Sequence, residues 1–331
     1  MSPASILIFR GGALGDFLVT LPLLKALRQR WPDARLECVG NSRAAQLALL
    51  DGTLHAAHDQ SEARWAQLYG DDALPPAFKA WLGSFDLVLN FWPDPGGELA
   101  RRFPVTSAQL YLAAGSRIET RPACLHFFTL LEDWGLPPPY PAHLALPDSY
   151  ATEAAKLLRP DSRRIVLHPG SGSPRKNWPV KCWFKLIEHL APEPLLIVLG
   201  EAERPVRDEM HALASDSIRI ADTWPLPLLA AAISGCRILV GHDSGIAHLA
   251  AAVGTPCVVL FGPTEPAVWA PFGESITVLK HGDDLGHISI ADVVRHLHPF
   301  PALPRSIEAQ NATVSPPTPV RRSQCQSSEC T

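Results

Sequence analysis

The sequence predicts an α/β protein of two doubly wound, Rossmann-like domains that face each other across a cleft. Three observations carry this reading. At 331 residues the chain is long for one domain and gives each of two domains a core. Short apolar runs alternate with segments of helical apolar spacing, the order expected of a parallel sheet wrapped on both faces. The pattern of strand, glycine-rich loop and helix also occurs twice, starting at "ILIFRGGALGDFLVTLP" (residues 6–22) and at "RRIVLHPGSGSPRKNWP" (residues 163–179).

The first domain, residues 1–140, opens with the strand "ILIF" and a helix beyond the loop. A second strand at "ARLECVG" (34–40) precedes a helix from Ser42. A further strand is expected at "FDLVLNFW" (85–92), and "ACLHFFTLLEDWGL" (123–136) has helical spacing. The four prolines of "GLPPPYP" (135–141) break the pattern and mark a linker. In the second domain, residues 141–298, a helix is expected at "WPVKCWFKLIEHL" (178–190), with Pro179 suited to its first turn. "PLLIVLG" (194–200), "CRILVG" (236–241) and "PCVVLFG" (256–262) are nearly continuous apolar runs, as in strands buried on both faces. "ISIADVVRHLH" (288–298) reads as the last helix. Residues 299–331 are rich in Pro, Ser and Thr and read as a disordered tail.

With 47% hydrophobic and 19% charged residues, the composition is that of a soluble globular protein. A formal net charge of -4 gives a nucleic-acid partner no electrostatic support. The N-terminus lacks the basic region of a signal peptide, and no apolar run reaches the roughly 18 residues of a spanning helix. A cytoplasmic location is therefore expected. Cys38, Cys182, Cys236 and Cys257 lie in or beside apolar segments without metal-ligand spacing and read as reduced core residues, whereas Cys325 and Cys330 fall in the tail.

Three loops carry candidate chemistry. The glycines of the first, Gly11, Gly12 and Gly15, match neither G-x-G-x-x-G nor a Walker loop, and the second strand offers only Glu37 as a ribose-binding acid. What that loop does carry is Asp16 at a helix start, either capping the helix or serving as a carboxylate that faces the cleft. The second loop, "PGSGSPRKNWP", joins small residues to Arg175 and Lys176. It suits an anion, or is a solvated loop with a basic tip. In the third, "GHDSGIAHLAAAVGTPCVVLFGPTEP" (241–266), Asp243, Ser244 and Gly245 open a helix whose free amides make a second anion site. His248 lies one turn in, and Thr264 sits in a rigid turn at the same sheet edge. Two phosphate-friendly loops in one domain suggest a nucleoside diphosphate.

These motifs, in this order and spacing, resemble those of the ADP-heptose:lipopolysaccharide heptosyltransferases, glycosyltransferase family 9, over residues 6–298. "GDFLVTLP" resembles the family's G-D-x-x-x-T-x-P, and the third loop is similar to its D-[ST]-G-x-x-H-L-A-A-x-x-G-x-P…F-G-P-T-[DE]-P. The resemblance implies a GT-B fold and an inverting, metal-independent transfer of a heptose from ADP-heptose to a lipid-linked core oligosaccharide. No D-x-D motif is present. It further implies that Asp16 is the general base, with Gly15 and Thr20 beside the acceptor. Arg175, Lys176, Ser244, Gly245 and Thr264 would hold phosphate oxygens, Asp243 and His248 the donor's sugar or phosphate, and Glu203 the nucleoside, unless Glu203 is simply a solvated residue at a helix start. Ser244 and Glu265 replace the commoner Thr and Asp. A monomer is expected, with room for peripheral contact at the cytoplasmic face of the inner membrane. "RWAQLYGDDALPPAFKAWLG" (64–83) has the aromatic and basic content of a membrane-near acceptor face, or of a core segment. Other readings are a family 9 transferase with another donor or acceptor, a non-catalytic sugar-nucleotide-binding protein, and an NAD-dependent Rossmann enzyme.

Overall fold

Every residue of β1 (Ser5–Arg10) is buried, because strands pair with it on both edges and apolar layers cover both its faces. The computed structural model describes residues 2–104, 106, 108–115, 118, 122–136, 141–158 and 163–297. The greater part of the expected linker, residues 137–140, and the expected tail, with Cys325 and Cys330, lie outside the described residues.

The first sheet is completed by β2 (Arg35–Gly40), β3 (Ala56–Asp59), β4 (Leu87–Asn90) and β5 (Leu110–Ala113), in the order β3-β2-β1-β4-β5. The second contains β6 (Ile165–Leu167), β7 (Leu195–Leu199), β8 (Ile218–Asp222), β9 (Ile238–His242), β10 (Cys257–Phe261) and β11 (Ile276–Lys280), in the order β11-β10-β9-β6-β7-β8. All pairings are parallel. This is the two-sheet α/β architecture the sequence predicts.

Side chains alternate across the sheets, as the pleat requires. Ile6 and Ile8 point into one core, and Leu7 and Phe9 into another. The first of these cores is continuous between the two sheets, through the helices Leu14–Arg30 and Gly245–Ala252, which pack on each other. The outer face of each sheet has its own apolar layer, built around Trp65 and Phe85 in the first and Trp178 and Trp183 in the second.

Several expectations change in detail. Residues 123–136 form a short helix, Ala123–His126, followed by a 3₁₀ segment, Phe127–Trp134, interrupted where Leu131 leaves helical geometry. Pro179 is the N-cap of the helix Val180–Leu190 and stands one place before its first turn. Cys182 and Cys236 are half-buried, whereas Cys38, Cys257 and the unassigned Cys124 are buried. The aromatic residues of 64–83 belong mainly to the core: Trp65 and Phe78 are buried, and Arg64 stacks over the rings of Trp65 and Trp81 at 4.3 and 5.1 Å. Tyr69, 44% exposed, is the exception. Among the described residues no helix is long and apolar enough to cross a membrane.

Arg164 shows how the second domain is tied together. It is buried, and its guanidinium donates to the carbonyls of Leu158, Leu195 and Ser217, linking the helix Asp148–Leu158 to β7 and to the chain entering β8. Buried carbonyls at strand and helix ends need such donors.

Candidate functional site

In each sheet the strand order reverses once, between β1 and β4 in the first and between β6 and β9 in the second. Chains leaving the carboxyl ends of such strands diverge and leave a crevice, the usual ligand position in open α/β sheets. The loops singled out from the sequence lie at these reversals.

At the first reversal, Asp16 is not the N-cap of its helix. Ala13 holds that position, and Asp16, at the third helical residue, turns back so that its Oδ2 accepts the Ala13 N–H at 2.8 Å. Its Oδ1 pairs with Arg10 Nη2 at 2.9 Å, and the Asp16 side chain remains 37% exposed. Arg10 ends β1. It donates to the Gly11 carbonyl (3.0 Å) and to Thr20 Oγ1 (3.3 Å), and lies 5.1 Å over the Phe127 ring. Thr20, expected beside the acceptor, is buried; its hydroxyl donates to the Asp16 carbonyl and accepts from Arg10 Nε.

The glycines of this loop make room for the acid. Gly12 has φ +115°, and a Cβ there would stand 2.4 Å from Asp16 Oδ2. The Gln60 amide clamps the Gly12 N–H and carbonyl at 2.9 and 3.2 Å. Gly12→Ala is expected to displace the Asp16 carboxylate and to strain the backbone by about 1–2 kcal/mol. For the nucleotide-dependent transfer that the sequence leads one to expect, turnover should fall at least tenfold while nucleotide binding is kept, as parallel turnover and titration measurements would show.

A cavity of about 420 Å³ opens at this reversal, with Arg10, Gly12 and Asp16 on the β1 side and Phe91, Trp92 and Pro93 on the β4 side. The lone charge in a strand that is otherwise apolar was the available signal for Arg10. Gln60 and Trp92 gave none, because they reach the site only through the fold.

At the second reversal, Lys176 Nζ and Asp243 Oδ2 form an ion pair of 2.9 Å between the loops after β6 and β9. Ser244 is the N-cap of the helix Gly245–Ala252, but its hydroxyl lies 3.3 Å from His168 Nδ1 and caps no amide of its own helix. The amides at that helix start are therefore left without a side-chain cap. Arg175, the neighbour of Lys176 in the loop after β6, is exposed. Thr264 follows β10, its carbonyl accepting from Lys280 Nζ (2.9 Å) while its hydroxyl has no partner among the described residues.

Glu203 is not a solvated helix-start residue. It is 2% exposed, and its Oε2 accepts the Gly200 N–H at 2.6 Å, the turn-back that Asp16 also makes. Its Oε1 lies 3.3 Å from His168 Nε2 and, among the described residues, has no side-chain hydrogen-bond partner. Burial raises its pKa, against the Gly200 and Gly170 amides and Arg207. A Cβ on Gly170 would stand 1.8 Å from Oε1, so any other residue there would displace the carboxylate from this position.

The two reversals meet through a pair of glycines. A Cβ on Gly15 would stand 3.5 Å from Gly245 Cα, and one on Gly245 would stand 3.0 Å from Gly15 N. Gly15 therefore serves the contact between helix starts. His248 is buried beside this contact; burial lowers its pKa, and Asp243 and then Asp16 oppose that shift, so both carboxylates act on one ring.

His168 and His242, which the sequence did not flag, are held neutral by burial, with pKa values lowered to about 3 and about 4. In His242 the tautomer is fixed, since Nε2 accepts the Trp178 N–H at 2.7 Å and Nδ1 donates to the Gly170 carbonyl at 3.1 Å. The unfolded chain takes up protons at these positions near pH 6.5 and the folded chain only near 3 to 4. Stability is thus full above pH 6.5 and falls as the pH drops through this window, on the order of 1.4 kcal/mol per unit per ring. Denaturation midpoints between pH 7 and pH 4 should show this slope, and His242→Asn should reduce it.

Among the described residues no group of three or more His, Cys, Asp or Glu side chains is placed to hold a metal ion. Residues 110–288 match glycosyltransferase family 9 (heptosyltransferase). The chain is 32% identical over 114 residues to lipooligosaccharide heptosyltransferase 2 of Haemophilus influenzae, covering 32% of this chain and 33% of that protein. It is 24% identical over 295 residues to lipopolysaccharide heptosyltransferase 3 of Escherichia coli K12, covering 79% and 83%. The chain therefore aligns with about a third of the first relative and most of the second. The solved structure of E. coli ADP-heptose lps heptosyltransferase II superposes with a TM-score of 0.69 at 19% identity, over 88% of this chain and 97% of that one, and shares its fold.

Proposed function

The chain belongs to glycosyltransferase family 9, and on that premise we propose that it transfers a heptose from ADP-heptose to a lipid-linked oligosaccharide of the lipopolysaccharide core, with inversion and without a metal ion. One observation carries the reading: the Gly15–Gly245 contact brings an acid of the first sheet to the edge of an anion site built by the second. The likeness to E. coli ADP-heptose lps heptosyltransferase II supports ADP-heptose as the donor.

In this mechanism the acceptor sugar occupies the cavity beside Asp16, and the donor diphosphate lies against Lys176, Arg175 and the amides of Gly245 and Ile246. The acceptor hydroxyl attacks the anomeric carbon, the bond to the diphosphate breaks, and the hydroxyl proton passes to the Asp16 carboxylate. Nucleophile and leaving group approach from opposite sheets, hence opposite faces of the sugar, and the configuration inverts. Arg10 and the Ala13 N–H fix one side of the carboxylate and leave its remaining lone pairs for the hydroxyl. ADP leaves with its charge met by preorganised cations and amides, which serve where other transferases use a divalent ion. Asp243 holds Lys176 in place, His248 closes the region where the helix starts meet, and Glu203 shapes the nucleoside end. The protein works as a monomer from the cytoplasmic side, reaching its acceptor at the membrane surface.

A thermal-shift screen of ADP-, UDP-, GDP- and CDP-sugars with EDTA present tests this reading. The ADP-sugar should raise Tm most, by an amount equivalent to about 2.7 kcal/mol at a hundredfold excess over Kd. A larger rise with another nucleotide would transfer the chain to a different donor.

A further inference from the structure

Beside the 420 Å³ cavity lies a second, of about 520 Å³, lined by Asp94, Gly97 and Ala100 and by the end of β5. Trp92 and Pro93 belong to the walls of both cavities and separate them. Tyr69, exposed and turned to the first cavity, is the large aromatic residue of its segment that does not join the core. Trp92 is braced by Phe9 and Trp65, at 5.1 and 6.2 Å between ring centroids, and its indole N–H, packed against Gly11, has no hydrogen-bond partner among the described residues.

The charges of these walls are distinctive. Among the described residues lining either cavity, Arg10 is the sole cation, and it is committed to Asp16. Asp94 adds a negative charge to the second cavity, its carboxylate accepting the amides of Leu99 and Ala100. Of the described residues that line the two cavities, those a carboxylate or phosphate placed here would face include acids and no uncommitted cation. The C–H face of a pyranose, by contrast, suits the electron-rich faces of indole and phenol rings.

We propose that this pair of cavities is a two-residue acceptor groove, in which an uncharged pyranose lies against Trp92 and Tyr69 with its hydroxyl at Asp16, and the preceding sugar of the same chain lies beyond Trp92 and Pro93. The inference rests on the transferase reading and adds to it the class of acceptor: a neutral oligosaccharide end rather than a sugar acid or a sugar phosphate. Trp92 and Tyr69 are binding residues of this groove and take no part in the proton transfer.

The test compares three probes as acceptors for the same donor: a neutral methyl pyranoside, its neutral disaccharide, and a methyl glycoside of matched size bearing a carboxylate on the terminal ring. The disaccharide should have an acceptor KM at least tenfold below that of the monosaccharide and of the acid. Tyr69→Ala and Trp92→Phe should each raise the disaccharide KM at least tenfold with kcat changed less than threefold. An acid that serves as well as the neutral disaccharide would overturn the proposal, as would an unchanged KM in Tyr69→Ala, a surface substitution that spares the fold. ADP binding by the unaltered protein, titrated in parallel, reports separately on the transferase reading.

Discussion

Replacing Asp16 by Asn is expected to lower transfer by about 10² to 10⁴-fold, the range for loss of a positioned general base, while ADP binding stays within twofold. Asn is isosteric with Asp, and its amide oxygen can still accept from Arg10 or from the Ala13 N–H. The variant loses the ability to accept a proton and little of the local geometry. Arg10, which is buried, loses its counter-charge, so some stability goes as well. Because Asp16 keeps over a third of its side-chain surface exposed, that loss should be small beside the effect on rate. Turnover and ADP titration on one preparation separate the two. Near-normal turnover would reduce Asp16 to an element of helix-start structure and remove the mechanism.

Lys176→Ala is expected to weaken ADP-sugar binding on the order of 10 to 100-fold, corresponding to one charge-assisted contact of about 1.5–3 kcal/mol. The Lys176–Asp243 pair supplies the physical reason. Asp243 is almost fully buried at the mouth proposed to receive the diphosphate, where its charge would repel the ligand if left alone. Lys176 neutralises it and keeps a positive donor at the crevice, and removing Lys176 therefore removes one attraction and exposes one repulsion. Titration of ADP into Lys176→Ala and Asp243→Asn/Lys176→Ala distinguishes these parts, since the double variant should recover a portion of the affinity. An unchanged affinity in the single variant would exclude Lys176 from the phosphate site.

The strands legible in the sequence were β1, β2, β4, β6, β7, β9 and β10, all interior to their sheets. The four that were missed, β3, β5, β8 and β11, are the four sheet edges. Edge strands such as "AAHD" and "IRIAD" are largely half-buried and mix polar with apolar residues, so they lack the continuous apolar run that identified the others. The candidate site followed the same logic. Asp16, Lys176, Asp243 and Ser244 were legible because they sit in glycine-rich loops directly after legible strands. Gln60 and Trp92 were not, because the first follows an edge strand and the second reads as the apolar end of β4. Glu203 was found for its position but not for its burial, which depends on Gly170 allowing a carboxylate where any other residue would place a Cβ. The purpose of Gly12 and Gly15 was hidden for a related reason, since each makes space for an atom that only the folded chain brings near.

The central claim is that an acid of one sheet and an anion site of the other act on a single transfer. It is tested most directly by supplying ADP-heptose and a neutral core oligosaccharide to the unaltered protein in EDTA, and measuring released ADP together with the anomeric configuration of the product. The expected result is one ADP for each glycosidic bond formed, with configuration opposite to that of the donor. Tight ADP binding without transfer, or a product that retains the donor's configuration, would contradict it.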